Sequence, residues 1–246
     1  MTIDQKLIDK IRALLAKTEE NGCTPEEAES AFAMAQRLMA KHSIEEEALI
    51  AAGHDVKREP IINHKVSVRK RDEVSRQRVT IIAAIAAANN CKVIDATDDY
   101  DQVWIVGHES EALFVEILAS AVLMQYATER NRGWKQWKAE YPFSDLSRFK
   151  WVSGFAWGYA TRVAERLEKE VEQTVAGEGA GKELVFVGRK ALVQDWVDEN
   201  LSTKKSKARS VSYNAAAGAM GEDAANRADL SGGRGHVAGN GRKALS

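Results

Sequence analysis

The chain has little that announces chemistry. Only two cysteines, Cys23 and Cys91, stand in 246 residues, and neither has a C-x-x-C partner. That argues against a zinc ribbon and a disulfide framework, and the expectation is two buried thiols in a reducing, cytoplasmic setting. The net charge is −1, so no global field points to nucleic acid or to a membrane. The start, MTIDQKLIDK, is charged and amphipathic, so no secretory signal is expected. The best apolar run, Phe114 to Tyr126, is interrupted by Glu116 and Ser120, and predicts a core helix with no membrane contact.

Catalytic motifs are missing as well. No G-x-S-x-G occurs, and no serine or cysteine has an evident base. Gly177 to Lys182 approaches a phosphate-binding loop, but Ala176 and Glu183 stand where that loop needs Gly and Ser or Thr. A flexible linker is the better reading. Asp98, Asp99 and Asp101 lack the glycine and the distal glutamate of a calcium loop, and read as a hairpin turn. No catalytic residue, cofactor or metal ligand is therefore assigned.

What is there is helix. Leu7, Ile8, Ile11, Leu14 and Leu15 recur on one face of a helix over Thr2–Lys17, with Thr2 and Gln5 spaced as a capping box. Asn21-Gly22 stops it. Thr24-Pro25-Glu26-Glu27 is the sharpest local signal: a hydroxyl N-cap, proline at N1 and glutamate at N3. That helix is expected to reach about Lys41, and Ser43 with Glu46 to begin a third, short one ended by Gly53.

These residues carry a resemblance. Lys10 to Lys17, Thr24 to Ala31 and Ala35 to Ile44, with its "LMAKHSI" end, look like the domain of unknown function 2786 family over about residues 4–45. The resemblance implies a helical hairpin and brings no activity with it. Members occur in bacteria and their phages, which implies a phage or prophage origin. Some longer members join the module to a metalloprotease-like domain. That domain needs H-E-x-x-H, and this chain has only His108-Glu109, so protease activity does not carry over.

Beyond a linker over 54–65, Lys65 to Lys70 alternates as a strand, and Asp72 to Ala88 reads as a helix ended by Asn89-Asn90. Cys91–Ile94 and Val103–Val106 form the best hairpin candidate. Long helices follow over Glu109–Arg130 and Ser144–Thr174, then Ala191–Leu201. Leu184 to Val187 fits strand or helix equally. Tyr213–Asp229 is alanine-rich and helix-prone, weakened by Gly218 and Gly221. The family's associated second domain has a similar helix–hairpin–helix layout. The expected fold is mainly α, of α+β type: an N-terminal helical module (1–53), helices packed on a small antiparallel hairpin or three-stranded sheet (65–201), and a basic, Ala/Gly-rich extension (202–246).

Charge is uneven. Residues 1–55 hold six basic and eleven acidic side chains, while 57–78 and 200–246 each hold eight basic and three acidic. Such basic clusters can neutralise phosphates and release counterions. Arg69, Lys70, Arg71, Lys204, Lys205, Lys207 and Arg209 are therefore the candidate nucleic-acid contacts, to DNA or RNA. Trp134, Trp137 and Tyr141, interleaved with Arg130, Arg132, Lys135 and Lys138, are candidate base-stacking residues. The reading gains if 69–71 and 204–209 converge on one face. Two others stand beside it. One is a protein-interaction module, docking through the acidic hairpin or through Ala215, Gly218, Ala219 and Gly221. The other is a metal-assisted hydrolase around His108.

Overall fold

The computed structural model describes residues 5–16, 23–54, 57–67, 75–95, 102–177, 182–202, 214–228 and 230. Seven helices and three strands follow in order: α1 Gln5–Leu15, α2 Pro25–Ala51, β1 Ile61–Ser67, α3 Ser75–Ala88, β2 Lys92–Asp95, β3 Gln102–His108, α4 Glu109–Glu140, α5 Arg148–Gly177, α6 Lys182–Asn200 and α7 Ala215–Asn226. The protein is mainly helical with one small antiparallel sheet, as its periodicities predict.

The Thr24 signal does what its chemistry requires. Its hydroxyl accepts from the Glu27 amide, and its own amide donates to the Glu27 carboxylate at 2.8 Å, closing a capping box with Pro25 at N1. The helix that follows does not stop at Lys41. It continues as one element of 27 residues to Ala51. Ser43 is not a cap: it is 1% exposed, and its hydroxyl lies within bonding distance of the Met39 carbonyl and of Glu111 on α4. A serine that finds a helix carbonyl and a buried carboxylate has no reason to break the helix. Gly53, at φ +77°, ends it with a His54-to-Leu49 and a Gly53-to-Ile50 backbone bond, a paired closure that needs the left-handed conformation.

The sheet has the order β1-β3-β2, antiparallel throughout. Ile61 pairs with His108 and Ser67 with Gln102, while Lys92 pairs with Val106. The first strand thus begins inside the expected linker, at Ile61. One sheet face, with Val66, Val93, Val103 and Ile105, joins the main core. The other, with Ile61, Ile94, Trp104 and Val106, packs on Val193 and Val197 of α6. Residues 184–187, ambiguous in sequence, lie within α6.

Helix α4 runs ten residues beyond Arg130, through Gly133. That glycine survives mid-helix because the Trp151 indole lies over it, 3.0 Å from where a Cβ would sit. By length and hydropathy α4 is the one helix among the described residues that could cross a membrane, but 56% of its apolar window is buried in the fold. Helix α5 supplies an aromatic ladder, Trp151, Phe155 and Tyr159, with neighbouring centroids 5.0 and 6.3 Å apart. Helix α7 lies against α5 through glycine. A Cβ on Gly158 would collide with the Gly218 backbone, and one on Gly221 with the Phe155 backbone. The small residues of α7 do admit a second backbone, and it belongs to this chain. One continuous apolar core takes in Ile11 of α1, Met39 of α2, Ile82 of α3, Leu118 of α4, Phe155 of α5 and Ala224 of α7.

Candidate functional site

The seven candidate phosphate contacts, Arg69 to Arg71 and Lys204 to Arg209, lie outside the described residues, as do the 98–101 turn and the glycine-rich tail. The residues that bracket them are described, and two of these flanks pack on α5. The 68–74 segment ends at α3, whose Gln77 donates to the Ser153 hydroxyl of α5 at 3.1 Å. The 203–213 segment ends at Asn214, whose carbonyl oxygen lies 2.8 Å from a Cβ placed on Gly154. Asn214 is fixed there as the N-cap of α7, accepting from the Ala217 amide at 2.9 Å. The residues that follow the two segments, Gln77 and Asn214, therefore pack on consecutive residues of α5.

Between those contacts α5 shows an aromatic. At about 100° per residue, Trp157 and Lys150 fall between Ser153, which faces α3, and Gly154 with Gly158, which face α7. Trp157 is 45% exposed, and Lys150 and Arg76 are exposed. The stacking residues expected from sequence are elsewhere engaged. Trp137 is buried and Trp134 packs 5.5 Å from Trp151. Of that trio only Tyr141 is exposed, and it lies 4.4 Å from Trp137. Trp134 and Trp137 are core residues; their apolar spacing could equally serve a core, and here it does. Trp157 of α5, outside that trio, is instead partly exposed.

A second constellation went unseen in the sequence. Arg189 of α6 has no exposed surface. It donates to Glu46 of α2 and, at 3.1 Å, to Glu111 of α4, and lies 3.5 Å from both Glu47 and Glu59. Glu59 accepts from the Ser110 amide and hydroxyl, and Arg58 chelates Glu47 through two bonds. Burial raises the Glu59 carboxyl above its ordinary range, although the Ser110 bonds and Arg189 pull the other way. Burial works against ionised Glu47 too, but the Arg58 bond and charge, with Arg189, outweigh it and hold that carboxyl low. Burial likewise disfavours the charged Arg189, and Glu111, Glu46 and Glu59 overcome it. These residues are scattered from position 46 to 189. Only a tertiary contact brings them together, so no local spacing could reveal them.

His108 stands at the edge of this cluster and is fully buried. Its Nδ1 lies 3.0 Å from the Glu59 carbonyl, which can only accept, so Nδ1 carries the hydrogen. Glu111 is engaged with Ser43, Asn90 and Arg189. A general base needs a reachable substrate proton, and this histidine has no surface to reach one. Among the described residues no group of three or more His, Cys, Asp or Glu side chains is placed to hold a metal. Cys91 sits over Gly107, and burial raises its thiol well above its usual range, the inert state expected of it.

Next to the cluster is a small recess lined by Gln36 and Ser43 of α2, Asn89 and Asn90 after α3, and Glu111, with apolar side chains of α2 and α5 beside them. Gln36 bonds Asn89 at 2.8 Å, and Asn89 bonds back to the Ile85 carbonyl.

Residues 6–46 match the family model described as "Protein of unknown function (DUF2786)", which covers α1 and most of α2. No curated protein and no solved structure matches the chain.

Proposed function

We propose that this is a non-enzymatic accessory protein that binds nucleic acid at the α3–α5–α7 corner. The observation that carries the reading is the packing of Gln77 and Asn214, the described residues that follow the two basic segments, on Ser153 and Gly154, with Trp157 45% exposed between those two positions. At about 3.6 Å per residue, chain connectivity keeps Arg71 within about 14 Å of Ser75 and Arg209 within about 18 Å of Asn214. In this reading Arg71 and Arg209, the nearest to the α5 flanks, supply phosphate contacts beside Trp157, Arg69, Lys70, Lys204, Lys205 and Lys207 extend the contact along the strand, and Trp157 offers a base-stacking surface. Stacking on an exposed indole needs unpaired bases, so single strands are the favoured ligand.

The test is fluorescence anisotropy with labelled single- and double-stranded oligonucleotides over a range of salt. Binding should weaken with salt, with a log–log slope approaching about −5 for a single strand if all seven side chains meet phosphate. Alanine at 69–71 and at 204, 205, 207 and 209 should each flatten that slope. No binding at low salt, to any of the strands, removes the reading.

A further inference from the structure

The recess beside Arg189 holds two acceptors whose orientation is fixed. Asn89 donates through Nδ2 to the Ile85 carbonyl, so its Oδ1 accepts, and it accepts from Gln36 Nε2 at 2.8 Å. The Gln36 amide can then lie only one way round, with Oε1 turned from Asn89. Ser43, Asn90 and Arg189 all reach a single oxygen of Glu111, Oε1. Glu111 Oε2 and Gln36 Oε1 are buried without a hydrogen-bond partner among the described residues, and both side chains line the recess. Two acceptors on one recess call for an occupant with two hydrogens to give.

Arg189 leaves a donor unused beside them. A guanidinium sends its Nε and Nη2 hydrogens out along one edge, the fork that meets both oxygens of a carboxylate. Arg58 meets Glu47 in this way, at 2.9 and 2.8 Å. On Glu111 the fork closes on one side only. Nε reaches Oε1 at 3.1 Å, while Nη2, 3.5 Å from Glu59, is buried without a hydrogen bond.

The other walls decide what fits. Met39, Ala40 and Val171 are apolar, Glu111 is the one carboxylate, and the free space takes a single water. A metal ion would find too few oxygens there and would sit beside the Arg189 cation. An anion would face two acceptors, and an apolar group would leave all three polar atoms unpaired. A water can give two hydrogens and accept one, and three bonds are usual for a buried water.

We propose that the recess is a binding site for one ordered water, which donates to Glu111 Oε2 and Gln36 Oε1 and accepts from Arg189 Nη2. It completes the fork between Arg189 and Glu111, and so joins α2, α4 and α6 where Arg189 docks.

A high-resolution crystal structure of the full chain tests this without any variant. It should show an ordered water within hydrogen-bond distance of Glu111 Oε2 and Gln36 Oε1. In solution, oxygen-17 relaxation dispersion counts long-lived waters. Gln36→Met, similar in length but without the amide oxygen, should show one fewer than the wild type. The proposal is overturned if the wild-type recess holds no ordered water, or if folded Gln36→Met keeps the wild-type count.

Discussion

The Arg189 cluster and the Trp157 corner use charge in opposite ways. In the cluster the fully buried Arg189 is fixed by four carboxylates, and the partly exposed Arg58 covers one of them, Glu47. At the corner the described flanks of two basic segments, Gln77 and Asn214, pack on neighbouring residues of α5, and the longer segment, 203–213, carries four basic residues and no acidic one. Paired, desolvated charge binds the chain to itself, because each partner would be stranded without the other. Like charge gathered at a surface does nothing for folding and is available to an outside anion. The contrast separates what the protein needs to fold from what it offers to a ligand, and it can be broken at either end.

The largest effect should come from Arg189→Leu. It leaves Glu46, Glu59 and Glu111 facing one another without their cation, and removing one partner of a buried pair costs about 3–5 kcal/mol. Against a total of about 5–15 kcal/mol, chemical denaturation should find a much weakened or unfolded protein. A loss below about 1 kcal/mol would mean that the cluster is incidental to stability.

Two glycines give the next comparison. Gly158 and Gly188 both lie inside helices, where alanine is normally better by about 1 kcal/mol. Among the described residues nothing lies within 4 Å of a Cβ on Gly188, so Gly188→Ala should stabilise by up to that amount. At Gly158 the Cβ meets the Gly218 backbone, which cannot swing aside, so Gly158→Ala should destabilise by about 1–3 kcal/mol. Equal signs for the two would contradict the close α5–α7 crossing.

The cluster should also register in pH. Glu59 has a raised carboxyl in the folded protein, so its folded form takes up a proton that the unfolded chain releases more readily. Its contribution is largest below the ordinary carboxylate range and is lost as pH rises through the raised folded value. The stability of wild type relative to Glu59→Gln should therefore fall with rising pH across that window. Glu47, held low, acts oppositely: it stabilises above the ordinary range and loses this as pH falls through its folded value. A wild-type-to-Glu59→Gln difference that is flat in pH would show that Glu59 titrates alike in both states.

Helices, the hairpin and the Thr24 cap were legible because each rests on neighbours in sequence. The extension of α2 through Ser43 was not, because the hydroxyl's partner on α4 lies 68 residues away. The same holds for Gly133, which reads as a weak point until the Trp151 ring is laid over it. The basic segments were visible as composition; the packing of the residues that follow them, Gln77 and Asn214, on neighbouring positions of α5 is a tertiary fact. The Arg189 cluster was invisible for the strongest form of this reason. Arg189 sits in an ordinary amphipathic helix, and only the docking of α6 onto the α2–α4 region makes it a buried cation.

The weakest effects should come from the exposed aromatics, and they decide whether the corner is a site. Phe143 is 98% exposed in the α4–α5 turn, and Trp157 is 45% exposed on α5. Burial alone ranks Phe143 as the freer ring. The proposed interface ranks them the other way, since only Trp157 lies between the contacts of Gln77 and Asn214 on α5. Trp157→Ala should weaken single-strand binding by about 1 kcal/mol, the low end for one stacked base, and leave the salt slope unchanged. Phe143→Ser should move stability by less than about 0.5 kcal/mol and leave oligonucleotide affinity where it was. If instead Phe143→Ser weakens binding and Trp157→Ala does not, the ligand meets the helical turn and not the corner. The comparison would then survive only for the buried cluster, because surface charge would no longer be tied to the α5 face on which Gln77 and Asn214 pack.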